Sequence, residues 1–276
     1  MFFDEFAHVF IAYAWQVLPW FFVGLIVAIV VEKRFANKTL PAYFCEYRPL
    51  SVATLLLVGM ISPLSILSGL PLVMQLLRQG AHPALLLSFF AAERVYDLQS
   101  FPIIGGIFGW KFAIINALIV FIALFVAAWS VKGSIVAYHS RPEATVKHDG
   151  WKKHAKMLLV VVVGIVIATL FRVLVPEHTF AQYAGGFLGS VLTALLIGFS
   201  IYMGTIIGNY PLAKAFSDLG MHGAGLMTFL SASSLLNVVI IALFLSSISP
   251  RAVLKYFVVY GGIATALSML FGIFIY

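Results

Sequence analysis

The sequence contains one cysteine, Cys45, and few charges: Asp, Glu, Lys and Arg together make up 10% of its 276 residues. A single cysteine excludes a disulfide within the chain and any metal site built from several thiolates. So little charge, beside 62% hydrophobic residues and a mean hydropathy of +1.06, goes beyond what a soluble domain needs to fill one core. Also missing is the apolar/polar alternation of an outer-membrane barrel strand. No phosphate-binding Gly-x4-Gly-Lys-Ser/Thr loop and no His-Glu-x2-His pair occurs, which excludes self-contained ATP-driven transport and that type of metallohydrolase.

What is present is a series of apolar runs of about 20 residues, the length that crosses a roughly 30 Å hydrocarbon layer as helix. The expected fold class is therefore an all-α polytopic membrane protein. The net charge of +7 lies in short loops between runs, where it sets orientation and does not imply a nucleic-acid partner. The run from about Phe6 to Val31 is too long for a signal-peptide core, so it is expected to be a retained first span. No soluble domain is expected on either side of the membrane region. Ordinary spans are expected over about 108–130, 157–175 and 253–276, with a shorter apolar segment over 50–61. Helices are expected from Pro83 to an end at about Pro102–Gly106, from about Ala181 through Gly198, and returning through Phe229–Ile241 (FLSASSLLNVVII).

Between Gly59 and Gln99 the apolar pattern is interrupted by Pro63, Pro71, Pro83, Ser62, Ser65, Ser68 and His82, and then by Glu93, Arg94, Asp97 and Gln99. An uninterrupted bilayer helix has no use for so many breakers and ionisable groups, since each freed carbonyl and buried charge is costly in hydrocarbon. A cavity lined by broken helices accounts for them. The second half contains a matching stretch. With Pro71 set on Pro211 the register holds without a gap, and Leu72, Gly80, His82, Ala84, Leu86, Phe89 and Ala92 fall on Leu212, Gly220, His222, Ala224, Leu226, Phe229 and Ala232. Proline, glycine and histidine coincidences at one offset mark an internal duplication.

The loop after the first span (Lys33, Arg34, Lys38) and the basic centre (Lys132, Arg141, Lys147, Lys152, Lys153, Lys156) are both placed in the cytoplasm by the excess of Lys and Arg. With the short acidic N-terminus outside, the first half then crosses the membrane an odd number of times, and an odd-crossing unit followed by its copy gives inverted repeats. The expected organisation is a first repeat over residues 1–131, a basic cytoplasmic loop over 132–156 and a second repeat over 157–276. Each repeat comprises about three transmembrane helices plus a broken or re-entrant helical hairpin. The alternative, hairpins that cross fully in parallel repeats, would put one basic loop outside.

On a helix, Glu93 and Asp97 are i,i+4 neighbours facing one way, and Arg94 and Asp97 are i,i+3. The three form either a structural ion group or the wall of a site for a small solute, with Arg94 suited to an anionic group. In the second half the same register gives Ser233, Ser234 and Asn237, so a shared site would be charged on one side and hydrogen-bonding on the other. Ser62, Ser65, Ser68 and Asn209 complete the set of expected substrate-binding residues, and Ser65 and Asn209 are expected to meet at mid-depth. His82 and His222 read as helix caps. No metal site and no cofactor is expected.

The spacing G-x3-P-x7-P, followed by a short leucine-rich helix and a glycine, together with FLSASSLLNVVII, resembles the predicted-permease family that includes organoarsenical efflux permeases. Members of that family usually have Cys-x-Cys between the two prolines. Here the interval from Pro63 to Pro71 is P-L-S-I-L-S-G-L-P, with Ser65 and Leu67 where the thiols would fall, and the soft ligand that a trivalent arsenical needs is missing. The resemblance implies a permease and not an arsenical cargo. The expected function is a secondary transporter or exporter in the cell's inner membrane, with the lipid bilayer and a small-molecule or ion substrate as partners; a homo-oligomer is left open. Two other readings stand beside it: a membrane-embedded subunit of a larger complex, and an intramembrane enzyme using Glu93 or His82 as acid or base.

Overall fold

The computed structural model describes residues 2–35, 46–61, 81–134, 150–201, 206–245 and 248–272. Ser62, Ser65, Ser68, the short helix expected from Pro71 to Arg78 and the expected meeting of Ser65 with Asn209 lie outside them. Helices account for the regular structure of the described residues, which contain no strand. In the first half these are α1 Phe2–Phe35, α2 Pro49–Ile61, α3 Pro83–Val95, α4 Ser100–Phe108 and α5 Trp110–Ser130. In the second they are α6 Gly150–Leu174, α7 Glu177–Ala184, α8 Phe187–Ser200, a 3-10 turn Ile206–Gly208, α9 Asn209–Asp218, α10 Gly223–Ser231, α11 Val238–Leu245 and α12 Pro250–Gly272.

Three of the described helices are long and apolar enough to cross a membrane: α1 over Phe3–Val23, α5 and α12. A fourth span is available if α6 from Leu158 and α7 count as one element, although they bend by 101° at Val175–Pro176. The chain is thus a multi-pass membrane protein. Three full spans per half are not reached among the described residues, because α2 and α8 have 13 and 14 residues, which at 1.5 Å per residue falls short of the hydrocarbon thickness. Each stops where its breaker motif begins.

Burial follows from the solvent being lipid. On α5, Ile114, Leu118, Ile122, Val126 and Trp129 form an exposed stripe, while Ala113, Asn116, Val120, Ala123 and Ala127 face inward. Small inward residues let helices approach closely where apolar attraction alone cannot drive association. Gly59 of α2 is one such position: a Cβ there would stand 2.8 Å from the Ala92 Cβ of α3. In the second half Gly198 of α8 is pressed in the same way against Ser233, just beyond α10.

Several expected helices are corrected. The helix from Pro83 ends at Val95, since Tyr96 is extended (φ −148°, ψ 138°), and a new helix starts at Ser100. FLSASSLLNVVII is likewise split, with α10 ending at Ser231 and α11 starting at Val238. Chain breaks therefore stand at equivalent places in both halves. The helix expected from Ala181 is divided between α7 and α8 by Gly185-Gly186. Glu177 and His178, expected in a connection, open α7.

The repeat extends to hydrogen bonds. The Ala84 N–H donates to His82 Nδ1 (3.3 Å) and the Ala224 N–H to His222 Nδ1 (3.1 Å), so both histidines cap helices as expected. The Ser88 hydroxyl donates to the Ala84 carbonyl and, in register, Thr228 to that of Ala224. Before His222 the chain turns through a Schellman motif: Gly220 takes φ +83°, its N–H donates to Ser217 O, and Met221 N–H to Phe216 O. Such a left-handed position favours glycine.

Candidate functional site at the first helix break

The break between α3 and α4 is closed by a reciprocal clasp. Asp97 Oδ1 accepts from the Ser100 N–H (2.8 Å) and the Ser100 hydroxyl (2.7 Å), and the Asp97 N–H donates to Ser100 Oγ (3.2 Å). A carboxylate three residues ahead of a serine offers the backbone this alternative to continuing the helix. Asp97 therefore does not lie on one helix with Glu93 and Arg94, and the expected i,i+4 and i,i+3 spacing does not apply. Glu93 and Arg94 sit half-buried in the last turn of α3, and the Arg94 guanidinium still acts on the Asp97 carboxylate.

A third partner comes from the other half. The Tyr210 hydroxyl, on the first turn of α9 next to Asn209 and Pro211, donates to Ser100 Oγ, and Tyr210 is fully buried. Ser100 Oγ thus donates once, to Asp97, and accepts from Tyr210 and the Asp97 N–H, which saturates a hydroxyl. Two further polar groups of the break are buried with no hydrogen-bond partner among the described residues, the Tyr96 hydroxyl and Gln99 Oε1. Asp97 acts electrostatically on the phenols of both Tyr96 and Tyr210, which puts both rings around it.

The second break is built differently. Ser233 donates to Phe229 O and Ser234 to Leu230 O (3.4 Å). Asn237 Nδ2 donates to Gly198 O (2.9 Å) and Ile201 O (2.7 Å), and its Oδ1 accepts from the Val239 N–H (3.0 Å). Asn237 thereby satisfies the last carbonyls of α8 and caps α11. All three expected site residues of this break are engaged with backbone, so the asymmetry between the two breaks is sharper than charged against hydrogen-bonding.

A second polar contact between halves was not anticipated from the sequence. The Tyr13 hydroxyl of α1 donates to Asp218 Oδ2 (2.8 Å), and Lys214 pairs with Asp218 Oδ1 (2.5 Å) on α9. Arg172 acts on the same phenol and pairs with Glu177 at 3.3 Å across the bend into α7. Its trace in the sequence was the i,i+4 spacing of Lys214 and Asp218. For the first site the missed signals were the D-x2-S spacing of Asp97 and Ser100 and a tyrosine beside the second breaker proline. Among the described residues no group of three or more His, Cys, Asp or Glu is gathered as a metal site.

A family model described as a predicted permease matches residues 134–273, just over half of the 276. The chain belongs to this permease family. No curated protein and no solved structure matches it. The resemblance read from both halves is matched over the second, which brings Tyr210 and the second break of the permease within the family span and leaves Glu93, Arg94 and Asp97 outside it.

Proposed function

We propose that this permease is a secondary transporter of the inner membrane that moves a small solute through a site where the first helix break meets the second half. The observation that carries the proposal is the chain Tyr210–Ser100–Asp97, which ties the broken α3/α4 passage to the hairpin helix after the second breaker motif. Transporters place binding sites where discontinuous helices of two repeats face each other. Glu93, Arg94, Asp97 and Tyr210 form the polar wall, and the Arg94 charge would attract an anionic group of the substrate. Asn209, beside Tyr210, and Ser62, Ser65 and Ser68 of the first breaker motif would supply further hydrogen bonds, while Ser233, Ser234 and Asn237 hold the opposite break in shape.

Inverted repeats, with the basic loop 132–156 between 1–131 and 157–276, are part of this proposal. Two helix pairs support them. Tyr256 reaches Leu124 O, whereas Asn116 and Tyr260 meet on Ser231, so residue numbers fall along α12 as they rise along α5. Tyr13, early in α1, is close enough to feel Arg172, late in α6. Equivalent helices that pair antiparallel across the two halves suit a two-fold axis in the membrane plane.

Thermal-shift screening of the purified protein against metabolite and oxyanion panels would name a ligand, because a ligand that prefers the folded state raises its apparent stability. In proteoliposomes Arg94→Ala and Tyr210→Phe should then each slow transport by about tenfold or more, the worth of one charge-assisted contact. Normal rates in both, and in Glu93→Gln, would overturn the assignment.

A further inference from the structure

We infer that the first break also holds a coupling ion, a monovalent metal cation of about the size of sodium, between the Asp97 carboxylate, Gln99 Oε1 and the Tyr96 hydroxyl. This rests on the permease reading of the same break. Gln99 and Tyr96 are 2% and 5% exposed, and both oxygens are without a hydrogen-bond partner among the described residues. Orphaned oxygens are costly in a membrane interior, and a cation is the partner that oxygens flanking a carboxylate lack. The Asp97 carboxylate accepts from both Ser100 donors, on Oδ1, and from the Gln99 N–H, three donors against the about four lone-pair sites of a carboxylate.

The chemistry of the ligands points the same way. A carboxylate, an amide oxygen and a phenol are hard ligands, and the absence of a third His, Cys, Asp or Glu among the described residues suits a singly charged ion better than a divalent one. Ends of broken helices add carbonyls to such sites. The ion would sit on the carboxylate that holds Ser100 and, through it, Tyr210 of the second half, so its arrival is felt by the link between halves. In the repeat register the counterparts of Tyr96, Asp97 and Gln99 are Leu236, Asn237 and Val239, with the Asn237 amide already engaged; one ion per chain follows.

The test is thermal unfolding of the purified full-length protein, without substrate, in sodium chloride against choline chloride at constant ionic strength and pH. A saturable, single-site rise in Tm with sodium is expected. Gln99→Leu and Tyr96→Phe, which delete single oxygens, should raise the half-saturating sodium concentration by about tenfold or more, and Asp97→Asn should abolish the rise. Equal Tm in sodium and choline overturns the inference in the wild-type protein alone, whether or not any variant folds. So does a sodium response unchanged in Gln99→Leu and Tyr96→Phe, or a Tm that follows pH and not sodium, which would mark a proton as the ion. Because no substrate is present, these outcomes leave the transport result for Arg94→Ala and Tyr210→Phe to decide the permease site separately.

Discussion

Replacing Asn237 with alanine separates a residue that holds the fold from one that holds a solute. Its side chain makes three contacts, two donated to the Gly198 and Ile201 carbonyls and one accepted from the Val239 N–H, and it is 3% exposed. Loss of a helix cap costs about 1 kcal/mol. Each buried carbonyl left without a donor costs about 1–3 kcal/mol, and nothing in lipid replaces the missing donor. The sum is at least about 3 kcal/mol, well above the ~0.6 kcal/mol average of an interhelical hydrogen bond in a membrane, because removing the amide orphans groups and does not merely exchange partners. Asn237→Asp should be nearly as harmful, since a carboxylate faces two carbonyl oxygens. The assay is equilibrium unfolding of the purified protein in mixed micelles, paired with ligand affinity of the folded fraction. The expected result is a lowered unfolding midpoint with affinity unchanged. A midpoint equal to wild type with affinity lost would refute the reasoning and return Asn237 to the substrate site.

Two further expectations follow from the repeat. Gly59→Leu should destabilise the protein strongly, because the added Cβ alone would stand 2.8 Å from both the Ala92 Cβ and the Phe89 carbonyl oxygen, and overpacking of this kind costs about 1–3 kcal/mol or more; wild-type stability in unfolding titrations would contradict that crossing. In a Cys45→Ser background, cysteines at positions 38 and 147 should be labelled from the cytoplasmic side and one at 177 from outside. Labelling of 38 and 147 from opposite sides would overturn inverted repeats.

Composition alone fixed the solvent: with 10% charge and long apolar runs, the chain can satisfy its backbone in lipid only as helices, and no tertiary detail is needed to reach that conclusion. The duplication was equally legible, since Pro71 and Pro211, Gly80 and Gly220, and His82 and His222 keep one offset, and His82 and His222 read as caps because a capping bond spans two residues. What lay beyond the sequence was contact between distant elements. An apolar stretch such as Phe229–Ile241 reads as one helix until Asn237 is seen to turn towards α8, and Tyr210 is one aromatic among many until its hydroxyl meets Ser100 from the other half. Local pattern reports which residues favour a helix or a cap; which polar groups a break leaves buried, and which element supplies their partners, depends on packing between residues from 36 to 110 positions apart, and only the tertiary structure decides that.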